Sequence, residues 1–346
     1  MKKFALKITP QRSNQYANMA GRLAAPELLA SPLGTAIKQI EAVTLAGQGY
    51  LLVTIDDESN LPSCPALEDI LPRLGATSEG YEFFKQIGEV EGPLLRPLET
   101  SFTPFVPLEM AEIRRYKGKT NEVFTRVLLN IAVFAGAYNN QCTGQLRVLD
   151  PLAGGGTTLF LALAAGYDAF GIEHQRQNVE TTVVFIRQYL SSIHVPYKEL
   201  DERGRRAGRR HLFEIGREGV TRRLVLVHGD ACEANLHMQE VAGGLHMHAI
   251  AGDLPYGIQH LGEIADLLSK ALPVWESMLL PGGSVALAWN ATHIDRAAMI
   301  GLVEQHSQLR VRNDTPYTQL AHTVDRVIKK RDVLVAVKGL AQQFLS

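Results

Sequence analysis

Four short apolar runs, each closing on a carboxylate, constrain this chain more than any other feature in it. They are Val148-Leu149 before Asp150, Ala169 to Ile172 before Glu173, Leu224 to Val227 before Asp230, and His248-Ala249-Ile250-Ala251 before Asp253. Helical spacing separates the first three: Thr157 to Ala165 is stopped by Gly166, and Val179, Val183, Ile186 and Leu190 follow Glu173. Strand, helix, strand, helix is the pattern of a parallel sheet, and ligands bind such a sheet beyond the carboxyl ends of its strands. The strand-end carboxylates can therefore face one another across one edge of one sheet.

Asp150 runs into Gly154-Gly155-Gly156-Thr157-Thr158. Consecutive glycines let backbone approach a ligand closely, and the N–H groups that open the next helix favour an anion. Glu173 is placed to accept hydrogen bonds from ribose hydroxyls, which suits a dinucleotide and S-adenosylmethionine equally. Three features separate the two. The glycines are contiguous and closed by Thr157 and Thr158, so G-x-G-x-x-G is not met. Asp230 ends a third strand in a place suited to an adenine amino group. Asp253-Leu254-Pro255-Tyr256-Gly257 ends a fourth, where hydride transfer has no use for it. A tight structural turn accounts for either segment alone; the order Gly154, Glu173, Asp230, Asp253 favours a donor site and a base site together.

The second site has its own chemistry. A nucleobase amine has its lone pair delocalised into the ring and is a poor nucleophile towards a sulfonium methyl group. Asp253 and a backbone carbonyl near Leu254 could accept its N–H bonds, return electron density to nitrogen and aim it in line with the methyl group. Pro255 stiffens the turn, and Tyr256 can stack on the base. No metal is needed, because the donor already carries its leaving group.

The rest of the chain bounds the answer. Lys and Arg total 35 against 36 Asp and Glu, so a nucleic-acid surface has to be local. Two local candidates exist. The basic loop Arg114 to Lys119 precedes a helix in which Phe124, Val127, Leu128, Ile131 and Phe134 share a face, and it reads as a wall of the cofactor pocket or a phosphate contact, or else as a solvated helix entrance. From about Pro196 to Arg223 the alternation stops in an arginine-crowded insertion. There Arg205, Arg206, Arg209 and Arg210 either contact RNA phosphate or decorate a solvated loop. His246 and His248 alternate on one strand face without an evident third metal ligand. Cys64, Cys142 and Cys232 form no C-x-x-C pair, the basic N-terminus lacks an apolar signal core, and no membrane-length apolar run occurs. A cytoplasmic location is expected. Pro93, Pro97, Pro104 and Pro107 mark a boundary between residues 1–97 and 98–346.

Asp150-Pro151-Leu152-Ala153-Gly154-Gly155-Gly156-Thr157-Thr158 resembles the donor motif of class I S-adenosylmethionine-dependent amino-methyltransferases. Asp253-Leu254-Pro255-Tyr256-Gly257 resembles their catalytic motif, in the form carried by THUMP-related RNA guanine N2-methyltransferases. Lys119-Thr120-Asn121-Glu122 and His322 to Ile328 are similar to flanking segments of these enzymes. The resemblance implies a Rossmann-like α/β domain with a seven-stranded sheet and its last strand antiparallel, behind a smaller α+β domain. It also implies donor contact at Asp150, Gly154, Gly156, Thr157, Glu173 and Asp230, and catalysis at Asp253 with Pro255 and Tyr256. The expected substrate is guanine N2 in tRNA or other structured RNA, with residues 1–97 as a possible RNA-binding domain. Two alternatives stay open: a DNA adenine-N6 or cytosine-N4 methyltransferase, and a non-catalytic nucleic-acid-binding module retaining the fold. Residues 1–97 leave little room for both modules with which such tRNA enzymes capture RNA.

Overall fold

The structure is a computed structural model describing residues 1–11, 17–56, 67–100, 102–141, 144–203, 209–217, 219–239, 241, 246–255, 261–324 and 329–340. The chain opens with β1 (Lys2–Ile8), α1 (Ala17–Ala30), β2 (Ile37–Leu45), β3 (Gln48–Ile55), α2 (Leu67–Ile70), β4 (Thr77–Ile87) and β5 (Val90–Pro97). These strands form an antiparallel sheet in the order β2-β3-β1-β4-β5. Its centre is β1, where Phe4, Ala5 and Leu6 are all buried against α1 and the neighbouring strands. The alternation of β1 and the β-rich run of β3 are visible in sequence, whereas β2 carries charge and amide side chains along an exposed edge.

The second half adds α3 (Glu109–Ile113), α4 (Glu122–Ala135), β6 (Arg147–Asp150), α5 (Thr157–Ala164), β7 (Asp168–Glu173), α6 (Arg176–Ser192), β8 (Tyr197–Arg203), β9 (Arg209–Arg217) and β10 (Val220–His228). It continues with α7 (Ala234–Met238), β11 (Met247–Asp253), α8 (Leu261–Met278), β12 (Leu279–Asn290), α9 (Arg296–His306), β13 (Arg310–Val311) and β14 (Arg331–Val337). One sheet takes the order β13-β14-β12-β11-β6-β7-β10-β9-β8. Strands β12, β11, β6, β7 and β10 are parallel, and β14 is antiparallel to β12. The chain thus forms the parallel sheet that the alternation implies, in a Rossmann-like α/β arrangement with the reversed final strand that the resemblance implies.

Among the described residues the sheet has nine strands rather than seven. The arginine-rich insertion, expected as a loop, supplies β8 and β9 as an antiparallel extension on β10. Among its arginines, Leu212 is half-buried and Phe213 and Ile215 are fully buried. That is a period-two pattern which the intervening charges conceal.

Helix α4 joins the two sheets. Asn121 caps it, accepting the Phe124 N–H at 3.1 Å, and α4 packs against both α1 and the large sheet. Its Asn130 donates to the buried Glu27 of α1 at 2.7 Å, and Glu27 also accepts the N–H groups of Gly75 and Ala76 at 2.8 and 2.9 Å. One apolar cluster runs from Phe4 and Leu28 through Phe124 to Phe160. A second fills the opposite face of the large sheet around Trp275 and Trp289, whose indole N–H groups donate to the carbonyls of Ala231 and Ile294. Among the described residues no helix is long and apolar enough to cross a membrane.

Candidate active site

Strand order reverses between β6 and β11, and there the carboxyl ends of β6, β7, β10 and β11 open onto a cavity of about 710 Å³. Asp150, Gly154, Thr157, Glu173, Asp230 and Asp253 all line it. Residues separated by 103 positions between Asp150 and Asp253 are thereby brought into one space.

The turn after β6 is shaped by backbone. Gly154 and Gly156 have φ of +53° and +88°, a region that a Cβ disfavours, and Gly156 precedes the first turn of α5. Gly155 is required for another reason: a Cβ there would lie 2.3 Å from the ring of Tyr116. Tyr116 lies across the turn, with its hydroxyl 2.8 Å from Thr157 Oγ1. Arg114, with its charge centre 5.9 Å from that ring, donates to Thr181 on α6 at 2.9 Å. The basic loop therefore supplies a wall of the cavity.

Glu173 accepts three hydrogen bonds: from Gly154 N at 2.9 Å on Oε2, and from Gln175 N at 2.8 Å and Asn178 Nδ2 at 3.1 Å on Oε1. A carboxylate offers roughly four acceptor positions, so about one remains for a ligand hydroxyl. Asn178 lines the cavity beside it, a position that the sequence reading left out. Asp230 Oδ1 accepts Cys232 N at 2.8 Å, and Asp230 N donates to His237 Nε2 at 3.1 Å, which fixes the end of β10.

Asp150 is buried, and desolvation pushes its carboxyl up to about 7. Hydrogen bonds from Thr158 and Leu152 N oppose that rise, while the charges of Asp253 and Glu173 add to it. The same cavity holds Asp253 at the end of β11. Its Oδ2 accepts from Thr120 Oγ1 at 2.7 Å and lies 3.9 Å from the Arg331 guanidinium. Leu254 is buried and ties the turn to β12 by donating to the Ala288 carbonyl at 2.8 Å, leaving the exposed Pro255 at the cavity.

Tyr256, Gly257, Arg205, Arg206 and residues 325–328 lie outside the described residues. Of the arginines expected to meet phosphate, Arg210 is corrected: it is 4% exposed, and its guanidinium donates to the His237 carbonyl at 3.4 Å. It lies on the face of β9 opposite Phe213 and Ile215, where α7 supplies the His237 carbonyl that its guanidinium meets. Arg209 is half-exposed at the start of that strand. Arg217 and Arg222 donate to the carbonyls of Phe105 and Gly166. His248 accepts Arg147 N at 3.0 Å and meets the Tyr138 ring edge-on, and burial brings its pKa down to about 4. Among the described residues no group of three His, Cys, Asp or Glu could hold a metal ion.

No family model matches the sequence, and no curated protein matches it. Solved structures similar to it include TrmN from Thermus thermophilus, at 14% identity and a TM-score of 0.45 over 98% of this chain and 100% of that one. A methyltransferase homolog from Pyrococcus horikoshii is similar at 12% identity and 0.41, over 98% and 87% of the two chains. The Thermus thermophilus 16S rRNA N2 G1207 methyltransferase RsmC, solved with AdoMet and guanosine, is similar at 16% and 0.38, over 88% and 59%.

Proposed function

We propose that this protein is an S-adenosylmethionine-dependent methyltransferase acting on an exocyclic amine of a nucleobase in RNA, with guanine N2 of tRNA or another structured RNA as the substrate. The observation that carries the reading is the single cavity uniting the glycine turn after β6 with Asp253-Leu254-Pro255 after β11.

The residues present fit the donor. Positive φ at Gly154 and Gly156 brings bare backbone to the cavity, α5 starts there, and carboxylates stand at the ends of β7 and β10. In the proposed complex Glu173 and Asn178 take ribose hydroxyls, Asp230 takes the adenine amine, and Asp150 faces the cationic end of the molecule. S-adenosylmethionine supplies a methyl group already attached to a good leaving group. The base enters over Pro255, and Asp253 accepts an N–H bond of its amine, restoring electron density to nitrogen and fixing its direction. As nitrogen bonds to the methyl carbon, that carbon's bond to sulfur breaks and the surplus N–H proton passes through Asp253 to solvent.

Residues 1–97 are proposed to help hold RNA. A groove of about 760 Å³ lies between that sheet and Thr323, lined by Thr9, Gln11, Asn18, Arg22 and Gln48. Its described lining has exposed Arg22 and no acidic residue, and Gln11 accepts from Asn121 at 3.2 Å, one residue from Thr120. Hydroxyls, amides and one guanidinium suit a sugar-phosphate strand leaving the site.

The test is to incubate the protein and labelled donor with total tRNA, ribosomal RNA and genomic DNA, then to identify the modified nucleoside by mass spectrometry. N2-methylguanosine in RNA is expected; a methylated DNA base would overturn the RNA assignment. Asp253→Ala should lower turnover at least about 100-fold with donor affinity nearly unchanged, measured by methyl incorporation and calorimetry. Unchanged turnover would remove Asp253 from the chemistry.

A further inference from the structure

Three segments far apart in sequence meet at one oxygen of Asp253. We propose that Thr120 and Arg331 are positioning residues that hold the Asp253 carboxylate in the orientation needed for methyl transfer, an inference that rests on the amino-methyltransferase reading above.

The contacts are specific. Thr120, just before the cap of α4, donates its hydroxyl proton to Asp253 Oδ2 at 2.7 Å. Arg331, the first residue of β14, brings its guanidinium to 3.9 Å from the same oxygen with its side chain 4% exposed. At that distance it acts as a buried counter-charge more than as a donor to that oxygen. It is held in turn: its charge centre lies 4.5 Å from the centre of the Phe124 ring. Phe124 also meets the ring of His322 at 4.9 Å, and the backbones of His322 and Arg331 exchange two hydrogen bonds at 2.9 Å. Burial brings His322 down to about 4, so it is neutral at pH 7 and packs without adding a second positive charge. The chain from His322 through Phe124 and Arg331 to Asp253 is thus continuous contact.

The need for such a brace follows from the carboxylate itself. The last torsion of an aspartate is broad and nearly two-fold, so the backbone at the end of β11 does not by itself set the carboxylate plane. A hydrogen bond to one oxygen fixes that plane, and a neighbouring cation offsets the charge brought into a partly buried site. An amine aimed by a rotating acceptor would spend less time in line with the methyl group, and small misplacements of this kind can cost about 100-fold in rate. Thr120 lines the cavity and Arg331 stands behind it; in this scheme both act through the Asp253 carboxylate they contact.

The role separates from a purely structural one in kinetics. Thr120→Val keeps the shape and loses the hydroxyl; Thr120→Ser keeps the hydroxyl. With total tRNA as substrate, Thr120→Val should lower kcat about 10- to 100-fold while leaving KM and donor affinity near wild type, and Thr120→Ser should recover most of the loss. Arg331→Lys, which keeps charge but loses the planar face on Phe124, should show an intermediate loss in kcat per folded molecule, with the urea midpoint measured alongside. Wild-type kcat in Thr120→Val, or a loss confined to KM, would overturn the brace while the wild-type enzyme still methylates RNA. Absence of methyl transfer by the wild-type protein to every RNA and DNA offered, despite donor binding, would instead overturn the reading on which it rests.

Discussion

At the scale of single residues, Gly155 and Asp150 are fixed by different forces. Gly155 has no side chain because Tyr116 occupies the place where a Cβ would go. Gly155→Ala should displace Tyr116 from Thr157, open the cavity wall and weaken donor binding about 10-fold, while unfolding changes by about 1–2 kcal/mol. Calorimetric titration with S-adenosylmethionine checks the first part and urea unfolding the second. Asp150 answers to solvation. Burial raises it from 3.8 to about 7, so the native state binds its proton more tightly than the unfolded chain does. Its contribution therefore erodes stability as pH rises from about 4 to about 7, and the loss is complete above that range. Asp150→Asn should remove this slope and be the more stable form at pH 8, as urea midpoints at pH 5 and pH 8 will show. Donor binding to wild type should strengthen across the same interval, because a cationic group beside Asp150 favours the ionised form.

At the scale of elements, β9 shows how local charge misleads. Its arginines suggest a solvated nucleic-acid contact, yet Arg210 is buried where its guanidinium meets the His237 carbonyl of α7, while Arg209 is half-exposed. Arg210→Ala should lower the urea midpoint by an amount equivalent to about 2–4 kcal/mol, through lost packing and an emptied polar site. The salt dependence of RNA binding should not change, since that side chain neutralises no phosphate. A shallower salt slope for Arg210→Ala, read from filter binding at several ionic strengths, would return the residue to the interface. Strand β14 makes the complementary point. Running antiparallel to β12, it begins at the cavity edge, which is how its first residue, Arg331, arrives at Asp253.

At the scale of the whole molecule, the two sheets are joined through α1 and α4, and Glu27 stands at the joint. It accepts from Gly75, Ala76 and Asn130 and is fully buried; burial outweighs those hydrogen bonds and the charge of Arg126 and raises its pKa. Glu27→Ala would leave three donors without that acceptor and should destabilise the protein by about 3 kcal/mol or more, measured by urea unfolding. Because α4 also carries Asn121 and follows Thr120, the same variant should loosen the site and lower methyl transfer in protein that is still folded. Activity per folded molecule equal to wild type would show that the joint is structural alone.

The residues alone carried the order of strand ends and the turn chemistry at them. Apolar period, contiguous glycines and a proline after Asp253 act over a few residues, so β6, β7, β10, β11 and the glycine turn were legible. The sequence did not disclose α1, the edge strands β2 and β5, or the hairpin of β8 and β9, where burial depends on a neighbour supplied from elsewhere in the chain. Nor could it place Tyr116 over Gly155, Asn178 beside Glu173, or Thr120 and Arg331 on one oxygen of Asp253. Those contacts exist only once strand order and the reversal of β14 bring distant segments within a few ångströms, and side-chain geometry at that range is a property of the packed fold.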